Sequence, residues 1–340
     1  MDGHMSDTAK LEEAAGQVLR RRQACALLIA AAVPVYLKAA TVARLAWVTM
    51  DGEARPSYNF TAFRAGLRSQ GWIEGANLQL DPWFADGSMD RLRKLIPQML
   101  ATRPDLVVAA GGGVVRPLID ARLPTPMLFV MSADVVQAKV VESWSHPGVR
   151  RSGISLFSLE LLPKRVELLK TLLPRMKRLS FLGAPSHPGE TAERAAAAEA
   201  ASRLGLESRY WGAANAAELD AALESIVAWR ADAVMVFGGS VAAVYADRLA
   251  VFSTAQRMPT ASAWASFAEA GNLMSYGPLI ADSYHRLAAM ADRVLKGADP
   301  AAIPVERPAR FELVFNLKTA RAIDVVVPQQ LLLRADWVIE

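Results

Sequence analysis

The chain has 340 residues and a mass of 36.7 kDa, which is long enough for two domains that each bury a core. Its 52% hydrophobic and 21% charged residues are typical of a globular protein and exclude a disordered or fibrous chain. The net charge of +4 comes without a Lys/Arg run longer than Arg20–Arg22, so nucleic-acid binding is not expected.

The N-terminal segment has the pattern of an export signal. Arg20–Arg22 precede an apolar stretch, Ala24–Leu37, that is too short for a membrane-spanning helix and suits the core of a signal peptide. We expect residues 1–40 to direct export to the periplasm, by either the general secretory or the twin-arginine route; a buried N-terminal helix is the alternative. Cys25 is the sole cysteine, which excludes an intramolecular disulfide and a cysteine-rich metal site.

From Thr41 onward, short apolar runs alternate with longer amphipathic stretches, which predicts βαβ units and parallel sheets. The first set consists of strands at 43–50, 77–85, 105–110, 126–131 and 152–155, with helices at 58–72, 88–102, 114–122 and 136–144. Ser88 is the expected N-cap of the second of these helices.

A second set of βα units follows. Helices are predicted at 159–174, 190–205, 216–230, 241–257 and 282–296, and strands at 178–183, 206–213, 233–239, 258–264 and 272–277. A proline-rich link leads to a strand at 310–316 and a helix at 317–323. Two successive sets predict an α/β fold of two doubly wound parallel-sheet lobes joined by a hinge.

Ligands of open α/β sheets bind outside the carboxyl ends of the strands, so two such lobes predict a cleft between them. The loops that follow the strands supply the candidate site residues. The predicted ligand-binding residues are Thr49, Met50, Asp51, Gly111, Gly112, Gly113, Ser132, Asp134, Ala184, Pro185, Ser186, Gly238, Gly239, Ser240, Trp264, Phe267 and Tyr276.

Several of these residues have a second interpretation. Gly111–Gly113 lack the spacing of a P-loop or a dinucleotide fingerprint, so they are either a backbone cradle for a polar ligand group or a tight turn. Asp134 could cap a following helix. The rings of Trp264, Phe267 and Tyr276 could equally pack in a core.

The sequence contains no recognisable catalytic set. His4, His146, His187 and His285 are far apart and form no zinc motif, and GGSVA at 238–242 lacks the second glycine of a nucleophile elbow. His187 follows a strand that ends at the cleft; contact with a ligand is possible there, but the sequence favours a solvated loop histidine. No enzyme activity, cofactor or metal is therefore expected.

Three stretches resemble a known family. FRAGLRSQGWIEGANLQLDPWFADGSMDRLRKL (63–95), EAGNLMSYGP (269–278) and RFELVFNLKTARAIDVVVPQQLLLRADWVIE (310–340) are similar to segments of ABC-transporter substrate-binding proteins of the tryptophan/tyrosine type. The resemblance implies a type I periplasmic-binding fold and a receptor that delivers a small solute, amino-acid-like, aromatic or another small metabolite, to a membrane permease and ATPase. Where many members have an acid after a strand of the second lobe, this chain has FGGSVA, which puts an α-amino acid ligand in doubt.

The resemblance also predicts the domain organisation. Residues 41–155 and 277–305 would form the N-terminal lobe and residues 156–276 the C-terminal lobe, to which 306–340 is also assigned, although the sequence leaves the lobe of that last segment open. We expect a monomer that closes on its ligand. The alternatives are a periplasmic ligand sensor for a membrane signalling protein and an enzyme that modifies a small molecule.

Overall fold

The computed structural model describes residues 42–53, 58–156, 158–185, 187 and 189–340. The predicted export segment, residues 1–40, lies outside the described residues. The described chain contains two α/β lobes, each built on one sheet.

The N-terminal lobe is built on a five-stranded, fully parallel sheet of order β2-β1-β3-β4-β5. Its elements are β1 (Ala43–Thr49), α1 (Tyr58–Ser69), β2 (Leu78–Phe84), α2 (Met89–Ala101), β3 (Leu106–Ala110), α3 (Gly112–Asp120), β4 (Met127–Met131) and β5 (Arg151–Ser155). Ser88 caps α2 as predicted, since its side chain accepts a hydrogen bond from the Arg91 N–H.

The C-terminal lobe is built on a seven-stranded sheet of order β12-β11-β10-β9-β8-β6-β7, in which β10 and β11 are antiparallel and the other pairs are parallel. Its elements are α4 (Ser158–Leu172), β6 (Arg178–Gly183), α5 (Glu190–Arg203), β7 (Glu207–Gly212), α6 (Ala216–Ala228), β8 (Ala233–Val236), α7 (Ser240–Val244), α8 (Ala246–Gln256), β9 (Thr260–Ser262), α9 (Ala265–Glu269), β10 (Met274–Pro278), β11 (Phe311–Asn316), α11 (Leu317–Ala322), α12 (Gln329–Leu332) and β12 (Trp337–Ile339).

Helix α10 (Ile280–Leu295) follows β10 but packs on the N-terminal lobe against α1. Both faces of the sheet in that lobe are covered, which explains the continuous apolar run Leu45–Val48 within β1. Leu45 and Trp47 pack on the side of α1 and α10, whereas Ala46 and Val48 pack on the side of α2 and α3.

The chain crosses between the lobes three times: between β5 and α4, between β10 and α10, and between Glu306 and β11. Backbone hydrogen bonds join these crossings to each other. Ser155 N–H donates to the Glu306 carbonyl (3.1 Å), and Leu279 N–H donates to the Arg310 carbonyl (3.0 Å). The crossings therefore form one connected strip on which the lobes can move.

One predicted helix is wrong, one is divided, and three elements were not predicted. Residues 136–144 form turns and bends rather than a helix, because Asp134 accepts the N–H groups of Val136 and Gln137 and Lys139 then takes a left-handed conformation (φ 54°) that ends the turn. The helix predicted at 241–257 is divided at Tyr245 into α7 and α8. The elements that were not predicted are α9 and, in the C-terminal tail, α12 and β12.

Candidate functional site

The carboxyl ends of the inner strands of both sheets meet at one cleft. From the N-terminal lobe come the loops after β1, β3 and β4, and from the C-terminal lobe the loops after β6 and β8. The lobes touch here: a Cβ added at Gly189 would lie 2.9 Å from the Ala133 Cβ, so the two loops are in close contact.

His187 lies at the centre of this contact. Its Nε2 is 2.8 Å from the Ser132 hydroxyl of the opposite lobe. Its Nδ1 accepts a hydrogen bond from the Gly189 N–H (3.2 Å), so the neutral ring carries its proton on Nε2 and donates it to Ser132. The side chain is only 9% exposed, and the preferred interpretation of His187 as a solvated loop residue is therefore wrong.

Glycine loops from both lobes flank the His187 ring. A Cβ added at Gly112 would lie 3.5 Å from Nε2, and one added at Gly239 would lie 3.5 Å from Cδ2. Gly111 makes the first loop possible, because its φ of 107° is in a region that other residues rarely adopt. The predicted glycine loops after β3 and β8 are thus brought together across the cleft.

Helices begin at these loops without side-chain caps. The N-cap residues of α3, α5, α7 and α9 are Gly111, Gly189, Gly239 and Trp264, and none of these four residues makes a side-chain cap hydrogen bond. At the outer strands β2 and β7, by contrast, Ser88 and Asn215 cap the following helices. The first-turn N–H groups at the cleft thus leave donors for a polar partner.

Behind His187 lies a group of buried charges from α4 and α5. Arg165, 2% exposed, donates from Nε to the Tyr276 carbonyl at 2.7 Å. Glu193, 4% exposed, has a carboxylate oxygen 3.5 Å from His187 Nδ1. Glu190, also buried, pairs with the exposed guanidinium of Arg194 at 3.4 Å.

Burial dominates the proton affinities of this group. It lowers the pKa of His187 to about 4, although the charge of Glu190 acts in the opposite direction. It raises the pKa of Glu193 to about 7, against the attraction of Arg165, and lowers the pKa of Arg165 to about 10. Desolvation therefore outweighs the electrostatic attraction between Arg165 and Glu193.

The other predicted residues are distributed unevenly around the cleft. Thr49 is buried and accepts the Asp51 N–H at 3.2 Å, and a Cβ added at Gly113 would lie 3.1 Å from the Met50 Cγ, so the loops after β1 and β3 are adjacent. Asp134 is half-buried, and its Oδ1 accepts two backbone N–H groups; it therefore caps a turn and not the helix that the sequence predicted to follow it.

In the C-terminal lobe, Trp264 packs against apolar cores of both lobes and so lies between them. Phe267 is fully buried in the core of the C-terminal lobe, which is the core-packing interpretation of this ring. Tyr276 is half-buried and contributes its carbonyl to Arg165. Ala184 and Gly238 are buried and Pro185 is exposed; Ser186 lies outside the described residues, and only the backbone of Ser240 is described.

Sequence reasoning missed Arg165, Glu190 and Glu193 altogether. A signal for Arg165 was present, because it follows Leu162 by three positions and precedes Leu169 by four, on the buried face of α4. The two glutamates stand in the first turn of an alanine-rich helix, where an acid is ordinary, so the pattern offered no signal for their burial.

Two surface grooves lie away from the cleft. One of about 470 Å³ lies between α5 and β7, and another of about 450 Å³ lies between α2 and α3. Neither is lined by a predicted ligand-binding residue. Within the described part of the chain, no helix is long and apolar enough to span a membrane, and no three His, Cys, Asp or Glu side chains are grouped to hold a metal ion.

Comparison with known proteins identifies the family. Residues 46–339 match the family model of ABC transporter substrate binding proteins. A curated relative, the tyrosine-binding protein of Clostridioides difficile strain R20291, is 22% identical over 263 residues, which are 77% of this chain and 75% of the relative.

Two solved structures show the same fold. A domain from Streptococcus pneumoniae in complex with L-Trp has a TM-score of 0.81 and is 21% identical, with 88% of this chain and all of that chain covered. The ligand-free, open structure of an adhesive substrate-binding protein from Clostridium difficile is also 21% identical and covers 88% of this chain and 99% of its own, but its TM-score is 0.63.

Proposed function

The chain belongs to the ABC transporter substrate binding protein family, and from that premise we propose that it captures a small organic molecule between its lobes and delivers it to the permease and ATPase of an importer. The observation that carries this proposal is the meeting of the loops after β3, β4, β6 and β8 around one point, with Ser132 and His187 in contact across the cleft. Such convergence is typical of ligand sites between α/β lobes.

The residues around the cleft support binding rather than chemistry. Uncapped helix starts at Gly111 and Gly239 offer backbone donors, Ser132 offers a hydroxyl, and Trp264 offers an aromatic surface between the lobes. A base that activates Ser132 would need a lone pair on Nε2, but the Gly189 N–H on Nδ1 leaves the ring proton on Nε2, and the Glu193 carboxylate lies 3.5 Å from Nδ1 without a hydrogen bond to it. We therefore assign no catalytic role to this site.

The relatives indicate which classes of ligand should be tested first. Tyrosine-binding and L-Trp-bound proteins of the same fold make aromatic amino acids the first compounds to test. The loop after β8, however, consists of Phe237, Gly238 and Gly239 and supplies no acid for an ammonium group. A small molecule with an apolar body and a polar, uncharged or anionic end fits this wall equally well.

The protein would act outside the cytoplasm, after export directed by residues 1–40, and as a monomer, since a cleft within one chain needs no second copy. The hinge strip formed by the three crossings would allow the lobes to open for ligand entry.

A thermal-shift screen tests the proposal. Residues 41–340 would be heated with L-tyrosine, L-tryptophan, aromatic acids, nucleosides and other small metabolites, and we expect a saturable rise in Tm with one chemical class. Trp264→Ala is expected to reduce the affinity for that compound at least about tenfold, because a buried aromatic contact is lost. Trp229→Ala, at a half-buried tryptophan that contacts Arg209 away from the cleft, is the matched control.

Two results would contradict the proposal. If bound compounds were converted to products, the protein would be an enzyme rather than a receptor. If Trp229→Ala reduced the affinity as much as Trp264→Ala did, the ligand would not bind in the cleft.

A further inference from the structure

We propose that His187 is a proton-sensitive latch between the lobes: its neutral ring joins them, and its protonation opens the cleft. The inference concerns the closure of the lobes and does not depend on which ligand they bind. It follows from the position of the ring in the contact between the lobes and from the hydrogen bonds made by its two nitrogens.

Across the cleft, His187 is the donor that reaches the other lobe. Nε2 lies 2.8 Å from the Ser132 hydroxyl, and Ser132 is itself only 6% exposed. The ring also lies against Gly112 of the N-terminal lobe, where a longer side chain would meet it at 3.5 Å. Separation of the lobes would break this hydrogen bond and expose the ring to water.

Within its own lobe, His187 is held in the neutral form. The Gly189 N–H donates to Nδ1, and a proton added to this nitrogen would break that bond; the Glu193 carboxylate, 3.5 Å from Nδ1, is the group on the same side that would attract the proton. The ring also lies beside the first turns of α3 and α5, whose helix dipoles oppose a positive charge.

Among the residues that the structure describes, the charged groups that face the ring come from the C-terminal lobe. Glu190 and Glu193 of α5 face it, with Arg194 paired to Glu190 and Arg165 of α4 behind Glu193. From the N-terminal lobe, the residues in contact with the ring are Gly112 and Ser132, which carry no charge. Opening therefore leaves the acids beside the ring and adds water, which favours the imidazolium.

The size of the effect follows from linkage. Burial lowers the pKa of His187 from 6.5 to about 4 in the closed arrangement. If opening restores the ordinary value, the closed-to-open ratio falls about 30-fold between pH 8 and pH 5. Burial raises the pKa of Glu193, so if opening exposed this carboxyl as well, its titration would favour the closed form in acid.

The test uses the full chain without ligand. NMR of protein labelled with ¹³C in histidine follows four histidines, and the resonance missing from His187→Asn identifies the latch. We expect this resonance to titrate between pH 4 and pH 6.5, over the same range in which small-angle scattering shows a reversible increase in radius of gyration, with unchanged circular dichroism. Titration in the ordinary range with constant dimensions would overturn the proposal.

Variants separate His187 from its neighbours. His187→Asn should keep its dimensions between pH 8 and pH 5, whereas His146→Asn, at an exposed loop histidine, should expand like the wild type. Glu193→Gln should still open in acid; loss of the response in that variant would assign it to Glu193 and overturn the proposal. If His187→Asn does not fold, Ser132→Ala provides the test: without the acceptor for the Nε2 proton the lobes should already be separated at pH 8, and acid should expand the variant less than the wild type. Wild-type dimensions at pH 8 and a wild-type expansion in acid for Ser132→Ala would equally overturn the proposal.

Discussion

Replacing Glu193 by Gln should make the protein more stable relative to the wild type at alkaline pH than at acidic pH. The carboxyl is 4% exposed, and burial raises its pKa from 4.5 to about 7. Below pH 4.5 it is protonated in both the folded and the unfolded protein. As the pH rises, the unfolded chain releases the proton first, so the stability that this carboxyl contributes is lost progressively until the folded protein also ionises near pH 7.

The magnitude follows from the two pKa values. Each tenfold difference in proton affinity is worth about 1.4 kcal/mol, which gives a loss of about 2.5 kcal/mol between pH 5 and pH 8.5. Gln has the shape of the protonated acid and does not titrate, so the variant should escape this loss. Arg165 stays charged throughout this range because its pKa is about 10, so its contribution to the free energy of unfolding is the same at both pH values.

Urea unfolding followed by circular dichroism measures the effect at pH 5 and pH 8.5. The difference in free energy of unfolding between Glu193→Gln and the wild type should become more favourable to the variant by about 2.5 kcal/mol at the higher pH. Glu199→Gln is the control on the same helix, since its side chain is 63% exposed and its difference should stay flat. A flat difference for Glu193→Gln as well would refute the assignment of a buried, proton-retaining carboxyl.

Two further predictions concern the frame of the site. Gly153→Ala should lower the free energy of unfolding by at least about 2 kcal/mol, because the added Cβ would lie 2.0 Å from the Phe129 carbonyl oxygen. Gly239→Ala is the control and should cost much less, because its added Cβ would make ordinary contacts at 3.5 Å. Equal losses of stability for the two variants in thermal melts would contradict this prediction. Asn272→Ala should lower the free energy of unfolding, measured in urea, by about 3 kcal/mol, because the buried side-chain amide accepts a hydrogen bond from Thr260 and donates to two backbone carbonyls. Asn215→Ala removes an exposed helix cap and should lower it by about 1 kcal/mol. A loss for Asn272→Ala no larger than that for the cap variant would show that the buried bonds add little.

The order of elements could be predicted from the sequence because each depends on local pattern. Strand β6 begins and ends at Arg178 and Gly183 as predicted, since its run is buried on both faces and bounded by turns. The interruption of the stretch at 241–257 could not be predicted, because both halves have helical composition and the break is a non-helical backbone at Tyr245 (φ −111°, ψ 17°). The turn at 136–144 was missed because Val136, Val140 and Val141 have helical spacing, whereas the Asp134 hydrogen bonds and the left-handed Lys139 decide the backbone.

What the sequence by itself determined is therefore the two-lobed α/β architecture, the loops that border the cleft, and the family. Hydrophobic periodicity, the positions of glycines and similarity to motifs are local properties of the sequence, and they do not depend on how the lobes pack. The tertiary structure alone decided which loop residues meet. Ser132 and His187 are 55 positions apart, and Arg165 reaches the Tyr276 carbonyl over 111 positions. Burial of these groups, and hence the proton affinities of His187 and Glu193, arises only when the lobes and helices pack, because desolvation depends on everything that surrounds a charge in space.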